Sequence, residues 1–150
     1  MMDTTGGNFK AQLFVSSNTQ AFIAAYNIYT DSITMDSFPS LGMDADGIYY
    51  NQDDDVLYQL NRSANVINLY TNVASNLSGG LNPTLTATST SDFINGREIA
   101  VSGDLLVVAQ DADSSNNNQN RFIIYQISPN SITFLKAYDT NINLWGITIN

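Results

Sequence analysis

The sequence predicts an all-β protein built from repeated four-stranded units. Apolar segments of strand length recur along the chain and are separated by Gly, Asn, Asp or Ser, a pattern typical of strands joined by turns. The hydrophobic residues are rich in β-branched and aromatic types, including 8 Tyr and 7 Phe, and such side chains favour strands. Segments of similar pattern follow one another, which indicates an internal repeat.

The first unit, residues 9–36, is predicted to hold three strands. They cover residues 12–17 (QLFVSS), 21–29 (AFIAAYNIY) and 32–35 (SITM), and Pro39 marks a break after them. No further strand precedes these three, so the unit lacks an innermost strand of its own.

The second unit, residues 41–73, is predicted to be the complete copy, with four strands joined by short turns. Its innermost strand is predicted at residues 42–45, and Asp46-Gly47 is a dipeptide that suits a hairpin turn. The other strands are predicted at residues 48–52, 56–61 and 66–72. Three aspartates, residues 53–55, form an acidic turn between two of them.

A long loop and a third unit follow. Residues 74–96 contain Gly-Gly, Asn-Pro and a Ser/Thr run, so we predict a functional or mobile loop there. The third unit, residues 97–139, is predicted to hold strands at 97–102, 105–110, 121–128 and 132–138, with a second polar loop at 111–120. Residues 144–150 are predicted to form a lone strand of the innermost kind.

Superposition of the units favours a β-propeller. Tyr26, Tyr58 and Tyr125 align as third-strand residues that pack between blades, and the inner strands align at Gly42, Glu98 and Gly146. A four-stranded unit that recurs at tens of residues is the mark of a propeller array. The predicted fold is therefore three four-stranded blades in cyclic permutation, which make half of a six-bladed ring.

Ring closure has two alternatives. Three blades are fewer than a closed ring contains, and an open arc would expose strand edges and sheet faces. In one alternative, two chains form a two-fold dimer in which each closing strand completes the first blade of the other chain. In the other, the chain is part of one longer propeller. The mass in solution separates the two.

Residues 44–51, DADGIYYN, resemble six-bladed propellers of the NHL and gluconolactonase-like kind, in which an inner strand ends in an Asp-Gly or Asn-Gly turn before an aromatic-rich strand. The resemblance covers the architecture of most of the chain. These families include lactonases, but their metal-ligand pattern is not identifiable in this sequence. The resemblance therefore implies the fold and not the activity.

Composition excludes several classes of function. The net charge is −9 and only five Lys and Arg are present, unclustered, which argues against nucleic acid and against anionic membranes as partners. There is no Cys for a disulfide or thiolate zinc site, no His, and no apolar run long enough to span a membrane. The polar, Lys-poor and Cys-free composition favours an extracytoplasmic, secreted bacterial protein.

The candidate site lies at the start of the third unit, near the predicted channel mouth. Glu98 is the only Glu, with Arg97 beside it and Asp92 and Asn95 just before it. We predict ligand binding by Asn95, Arg97, Glu98 and Trp145; if the chain is an enzyme, Glu98 and Asp92 are the catalytic candidates. The alternative is that Arg97 forms a structural ion pair and that Trp145 only covers a blade contact.

No cofactor is predicted, with calcium as the alternative. Asp111 and Asp113 begin like a calcium-binding loop, because oxygen ligands at alternate positions suit Ca²⁺. Phe122 stands where the bidentate Glu of an EF-hand belongs, so residues 111–120 are not an EF-hand. A solvated turn is the interpretation that we favour.

Two function hypotheses remain. The first is a non-enzymatic binding or assembly module that uses loops on one face to hold a small molecule, a glycan or a protein, because loops on a rigid scaffold commonly carry function. The second is a hydrolase or lactonase-type enzyme with a carboxylate or divalent-metal site at the channel mouth. The absence of His and Cys removes the commonest general base and the strongest nucleophile, which favours the first hypothesis.

Overall fold

The computed structural model describes residues 7, 9–16, 23–37, 45–112, 119–144 and 146–150, and it shows an all-β chain of three antiparallel sheets. Sheet 1 contains β1 (Phe9–Ser16), β2 (Ile23–Tyr29) and β3 (Ile33–Ser37). Sheet 2 contains β4 (Ala45–Asn51), β5 (Val56–Asn61), β6 (Val66–Thr71) and β7 (Thr84–Thr88). Sheet 3 contains β8 (Gly96–Ser102), β9 (Leu105–Gln110), β10 (Asn120–Ser128) and β11 (Ser131–Thr140).

The strands of each sheet lie side by side in chain order, as in a propeller blade. A short helix, α1 (Val73–Ser78), precedes β7. No helix in the described ranges is long and apolar enough to cross a membrane.

Sheet 3 agrees closely with the predicted third unit. Its four strands begin and end within two residues of the predicted bounds. Gly103 has a φ of 58°, a left-handed conformation that glycine adopts without steric cost, and this allows the tight turn from β8 into β9.

Sheet 2 differs from the predicted second unit in the order of its strands. The segments predicted as the second, third and fourth strands are the first, second and third strands of the sheet. The innermost strand is β4, which runs through Asp46 and Gly47; the predicted Asp-Gly turn is wrong, and residues 42–44 lie outside the described part of the chain. The fourth strand is β7, which lies with α1 inside the predicted loop of residues 74–96. The unit therefore ends at residue 88 and not at residue 73.

Gly47 explains why β4 can continue through the predicted turn. A Cβ added at Gly47 would lie 3.0 Å from the backbone nitrogen of Ile99 and 3.0 Å from Oε1 of Glu98. The glycine therefore allows the inner strands of sheets 2 and 3 to approach closely, and it does not serve a hairpin turn.

Register shows how the three sheets correspond. A leucine of one strand pairs directly with a tyrosine of the next strand in every sheet: Leu13 with Tyr26, Leu57 with Tyr70, and Leu106 with Tyr125. In each sheet the following ladder has a β-bulge at that tyrosine. Strands β1, β2 and β3 thus correspond to the second, third and fourth strands of sheets 2 and 3.

The tyrosine alignment of the sequence is corrected by this register. Tyr26 and Tyr125 are equivalent, but their counterpart in sheet 2 is Tyr70, whereas Tyr58 lies in the second strand. The inner strands likewise align Glu98 with Gly47 and not with Gly42, because both follow the bulge of their strand.

Two apolar layers hold the sheets together. The larger layer lies between sheets 2 and 3 and includes Tyr58, Leu69, Leu106, Ile123 and Tyr125. The smaller layer joins sheet 1 and α1 to sheet 2, and in it the rings of Phe14 and Tyr50 lie 4.7 Å apart, centroid to centroid. We call the face of a sheet that carries its Leu–Tyr pair the back face. In sheets 2 and 3 this face packs against the preceding sheet.

Candidate functional site

The inner strands of sheets 2 and 3 each begin with a β-bulge that presents a charged residue. The extra residue is Asp46 in β4 and Arg97 in β8, since the ladders skip from Ala45 to Gly47 and from Gly96 to Glu98. Bulges re-aim side chains and occur often beside functional sites. Here they turn one acidic and one basic side chain toward the same end of the sheets.

Each bulge residue forms an ion pair with the turn that follows the second strand of its own sheet. Nη1 of Arg62 lies 3.3 Å from Oδ2 of Asp46, and Nη2 of Arg97 lies 3.3 Å from Oδ2 of Asp111. Arg62 and Asp111 occupy equivalent positions, because Asn61 and Gln110 pair with the residues before the two bulges. The same ion pair thus occurs in both sheets with the signs exchanged.

Asn95 joins the two ion pairs. Its Oδ1 accepts a hydrogen bond from Nε of Arg62 at 2.8 Å, and its Nδ2 donates to the carbonyl oxygen of Asp111 at 3.4 Å. Its backbone N–H donates to Oδ1 of Asn65, and its carbonyl oxygen accepts from the N–H of Asp111. Asn95 has a φ of 59°, in the left-handed region that Asn tolerates better than most residues.

This arrangement brings together two of the predicted ligand residues, Asn95 and Arg97. The side chains of both form hydrogen bonds or ion pairs within the protein. Arg97 makes the structural ion pair that was the alternative interpretation, and the side chain of Asn95 links sheet 2 to sheet 3. The geometry performs a structural task, the joining of adjacent sheets through buried and half-buried polar groups.

Glu98, the third predicted ligand residue, lies half-buried where β8 faces β4. Its Oε1 accepts a hydrogen bond from the N–H of Ile99 at 3.0 Å. The alternative catalytic residue Asp92 lies in the loop between β7 and β8. Its Oδ2 accepts a hydrogen bond from Oγ1 of Thr90. No hydrogen bond joins Asp92 to Glu98 within the described ranges.

Asp92 influences a buried tyrosine. Burial raises the pKa of Tyr125 well above its ordinary value, and the negative charge of Asp92 raises it further. Asp92 also lines a cleft of about 150 Å³ with Gln110 and Arg121. This volume is below the roughly 300–1,000 Å³ of small-molecule sites.

A second cleft, of about 200 Å³, opens between sheets 2 and 3 at the opposite end of the strands. Tyr49, Asp54, Tyr58 and Asp104 are among its lining residues. The hydroxyl of Tyr58 donates to the carbonyl oxygen of Ser128 at 3.1 Å, and burial followed by the charge of Asp54 raises the pKa of Tyr58 to about 12. Tyr58 is therefore a neutral residue whose hydroxyl group forms a hydrogen bond to the neighbouring sheet.

The remaining predicted site residues are Trp145 and Asp113, and both lie outside the described residues. Asp111 has its carboxylate engaged by Arg97. Among the residues that the structure describes, no group of three or more acidic side chains is placed to hold a metal ion.

Sequence reasoning missed Arg62, Asp46 and Asn65 as members of this polar cluster. The sequence feature that could have identified Asp46 and Arg62 is the exchange of charge between equivalent positions. Asp46 corresponds to Arg97, and Arg62 corresponds to Asp111. That signal appears only when the second unit is aligned in its true register, which the predicted turn at Asp46-Gly47 concealed.

Comparison with known proteins identifies the fold alone. No family model matches the chain, and no curated protein matches it. A solved structure from Bacteroides uniformis, provisionally assigned as a 6-phosphogluconolactonase, superposes with a TM-score of 0.68 at 12% identity over 93% of this chain and 41% of its own. A counterpart from Bacteroides fragilis, with the same provisional assignment, gives a TM-score of 0.62 at 16% identity over 89% and 40%.

A protein of unknown function from Desulfotomaculum acetoxidans gives a TM-score of 0.66 at 14% identity, over 87% of this chain and 39% of its own. The chain thus spans about two fifths of the length of these structures. The all-β fold with its separate antiparallel sheets is consistent with a half-propeller-like arrangement.

Proposed function

We propose that the chain is a non-enzymatic assembly module that completes a propeller-like ring with a second copy of itself. The observation that carries this proposal is the exposure of Leu13, the leucine of the Leu–Tyr pair in sheet 1. Leu57 and Leu106 are 0% exposed against the preceding sheet, whereas the equivalent Leu13 is 45% exposed. The back face of sheet 1 has the composition of a buried face.

The exposed apolar residues of this face lie on β1 and β3. Val15, Ile33 and Met35 are exposed on the same face, because register places them with Leu13 and Tyr26. Complete burial of one such side chain contributes roughly 1.5–3 kcal/mol, so several of them make a strong driving force for docking. Contiguous apolar patches of this kind commonly mark protein interaction sites.

The other end of the array supports a head-to-tail contact. The outward face of sheet 3 presents Leu105 and Tyr138 as exposed residues, with Phe122 and Ile124 half-buried. It is equivalent to the face of sheet 2 that packs on the back face of sheet 3. The outward face of sheet 3 in one copy therefore suits the back face of sheet 1 in the other, and two such contacts give a two-fold dimer.

Light scattering coupled to size exclusion tests the proposal. We expect a mass twice the 16.4 kDa of the chain. Leu13→Asp places a charge in the proposed contact and should give monomers. Leu81→Asp is the matched control, because Leu81 is 63% exposed in the loop before β7 and lies outside the contact. A wild-type chain that is monomeric at all concentrations would overturn the dimer, and polydisperse larger species would overturn two-fold closure.

A second candidate function is hydrolysis of a lactone. Two structural neighbours with a provisional 6-phosphogluconolactonase assignment favour it, together with the half-buried carboxylate of Glu98 at the start of an inner strand. An assay of lactone hydrolysis above the spontaneous rate, repeated with Glu98→Gln, tests it. Activity that survives the substitution would remove Glu98 from this role.

A further inference from the structure

Residues 146–150, Gly-Ile-Thr-Ile-Asn, repeat the pattern of the inner strand β4. After its bulge, β4 reads Gly-Ile-Tyr-Tyr-Asn over residues 47–51, and β8 reads Glu-Ile-Ala-Val-Ser over residues 98–102. Gly, Ile and Asn thus recur in β4 at the same spacing. Ile48 and Ile99 both point toward the preceding sheet, as their apolar clusters show.

The structure does not show the lone strand predicted at residues 144–150: the described residues 144 and 146–150 form no strand and pair with none in the described part of the chain. Residues 146–150 alternate between exposed and half-buried, with Ile147 and Ile149 half-buried. Sheet 1 has three strands among the described residues and lacks the innermost strand that sheets 2 and 3 have. Its strands correspond to the second, third and fourth strands of a blade, and β1 is paired on one side only, with β2.

We propose that residues 146–150 of one copy add to the edge of β1 that faces away from β2 in a second copy and form the innermost strand of its sheet 1. This inference rests on the dimer proposed above and specifies how its strands interlock. Addition of a strand to the edge of a sheet forms main-chain hydrogen bonds between the two partners.

The register of the added strand follows from sheet 2. Tyr50 pairs with Leu57 and Ile48 pairs with Gln59 in the β4–β5 ladder. Leu13 is the equivalent of Leu57, so Ile149 should lie opposite Leu13, and Ile147 opposite Val15. Asn150 should lie opposite Gln12, as Asn51 lies opposite Val56.

This register places the apolar residues correctly. Ile147 and Ile149 fall on the back face of sheet 1, beside Val15 and Leu13, whose exposure carries the proposed function. Thr148 falls on the opposite face, beside Phe14. A shift by one residue would turn both isoleucines to the wrong face, so the pairing is strongly specified.

The absence of native cysteine makes disulfide trapping a clean test. Leu13→Cys and Ile149→Cys variants are mixed, oxidised, and analysed by mass spectrometry without reductant. We expect a mixed disulfide of two chains, because directly opposite residues have Cβ atoms about 4.5–5.5 Å apart, near the distance that a disulfide requires.

The register control mixes Leu13→Cys with Ile147→Cys, which lies on the same face but two residues away. Diagonal neighbours are about 7–8 Å apart, so its yield should be lower by on the order of tenfold. The pair Gln12→Cys and Asn150→Cys tests the same register without removing an apolar side chain. Equal yields in all mixtures would overturn the register.

Failure of this inference is distinguishable from failure of the proposed function. A dimer by light scattering that gives no mixed disulfide with either opposite pair overturns strand addition and leaves face docking intact. A monomeric wild-type chain overturns both. A Leu13→Cys/Ile149→Cys double variant that forms its disulfide within one chain overturns the role of the second copy.

Discussion

Asn95 connects sheets 2 and 3 through its side chain and its backbone together. The side chain bridges Arg62 and the carbonyl group of Asp111, and the left-handed φ of 59° aims it there. The side-chain hydrogen bonds and the left-handed backbone conformation contribute separately to the stability of the chain. Different substitutions at residue 95 can therefore distinguish them.

We predict that Asn95→Ala lowers the free energy of unfolding by about 2–3 kcal/mol, since it removes two hydrogen bonds and places alanine in a left-handed conformation. Asn95→Gly removes the same hydrogen bonds but adopts that φ freely, so it should be more stable than the alanine variant by about 1 kcal/mol. Urea unfolding measures both values. Asn82→Ala, in the exposed loop before β7, is the control. Equal losses in the alanine and glycine variants would contradict the backbone contribution.

The polar cluster shows what residue-level reasoning can predict. The sequence placed Arg97 and Glu98 at the start of an inner strand and Asn95 on the loop just before it, and the structure agrees with that placement. Their partners could not be predicted, because an ion pair between Arg97 and Asp111 depends on the ladder register that brings residues 14 positions apart together. The role of a charged residue therefore follows from register more than from residue type.

Helix α1 depends on a residue from another element. Its N-cap, Asn72, makes no side-chain capping hydrogen bond. Asp55 in the turn before β5 supplies the cap: Oδ1 accepts from the N–H of Ala74 at 2.7 Å, and Oδ2 accepts from Oγ of Ser75 at 2.8 Å. A carboxylate at the first turn of a helix is also favoured by the helix dipole.

The pKa of Asp55 is lowered from its ordinary 3.8. Burial alone would raise it, but the hydrogen bonds from Ala74, Ser75 and Tyr50 favour the charged form and outweigh that effect. A carboxyl group with a lowered pKa stabilises the folded state above its unfolded pKa. This contribution is lost as the pH falls through the folded pKa, below about pH 4.

We predict that Asp55→Asn lowers the free energy of unfolding by about 1–2 kcal/mol at pH 7, the usual value of a helix cap. The difference from wild type should stay constant down to about pH 5 and shrink below pH 4. Unfolding curves at several pH values measure it. Asp53→Asn is the control, because no described hydrogen bond ends on that carboxylate. A difference that persists unchanged at pH 2 would show that the charge is not responsible.

The sequence signal was strong for the strands inside sheet 3 and weak for the outer strand of sheet 2. β9 and β10 have alternating or continuous apolar patterns and lie inside a sheet, and both were predicted closely. β7, TLTAT, is an outer strand with one half-buried residue, so its hydrophobic signal is weak and its neighbours Asn-Pro and Gly-Gly suggested a loop. The missed outer strand shifted the assignment of the whole second unit by one strand.

At the scale of the whole molecule, the charge of −9 raises the question of calcium. Divalent cations lower the self-repulsion of an acidic chain whether or not a specific site exists. A specific site would need several oxygen ligands in one place. Asp111, the described member of the predicted loop pair, already has Arg97 as its partner, so an ion would have to displace a guanidinium group.

We predict that neither EDTA nor calcium changes the melting temperature of the chain at constant ionic strength. A site occupied at one hundred times its dissociation constant would add about 2.7 kcal/mol to the free energy of unfolding, which for a chain of this size is a shift of several degrees. Magnesium at equal concentration is the control for general screening. A rise with calcium that magnesium does not reproduce would contradict the prediction, and its loss in Asp111→Asn would locate the ion at the turn after β9.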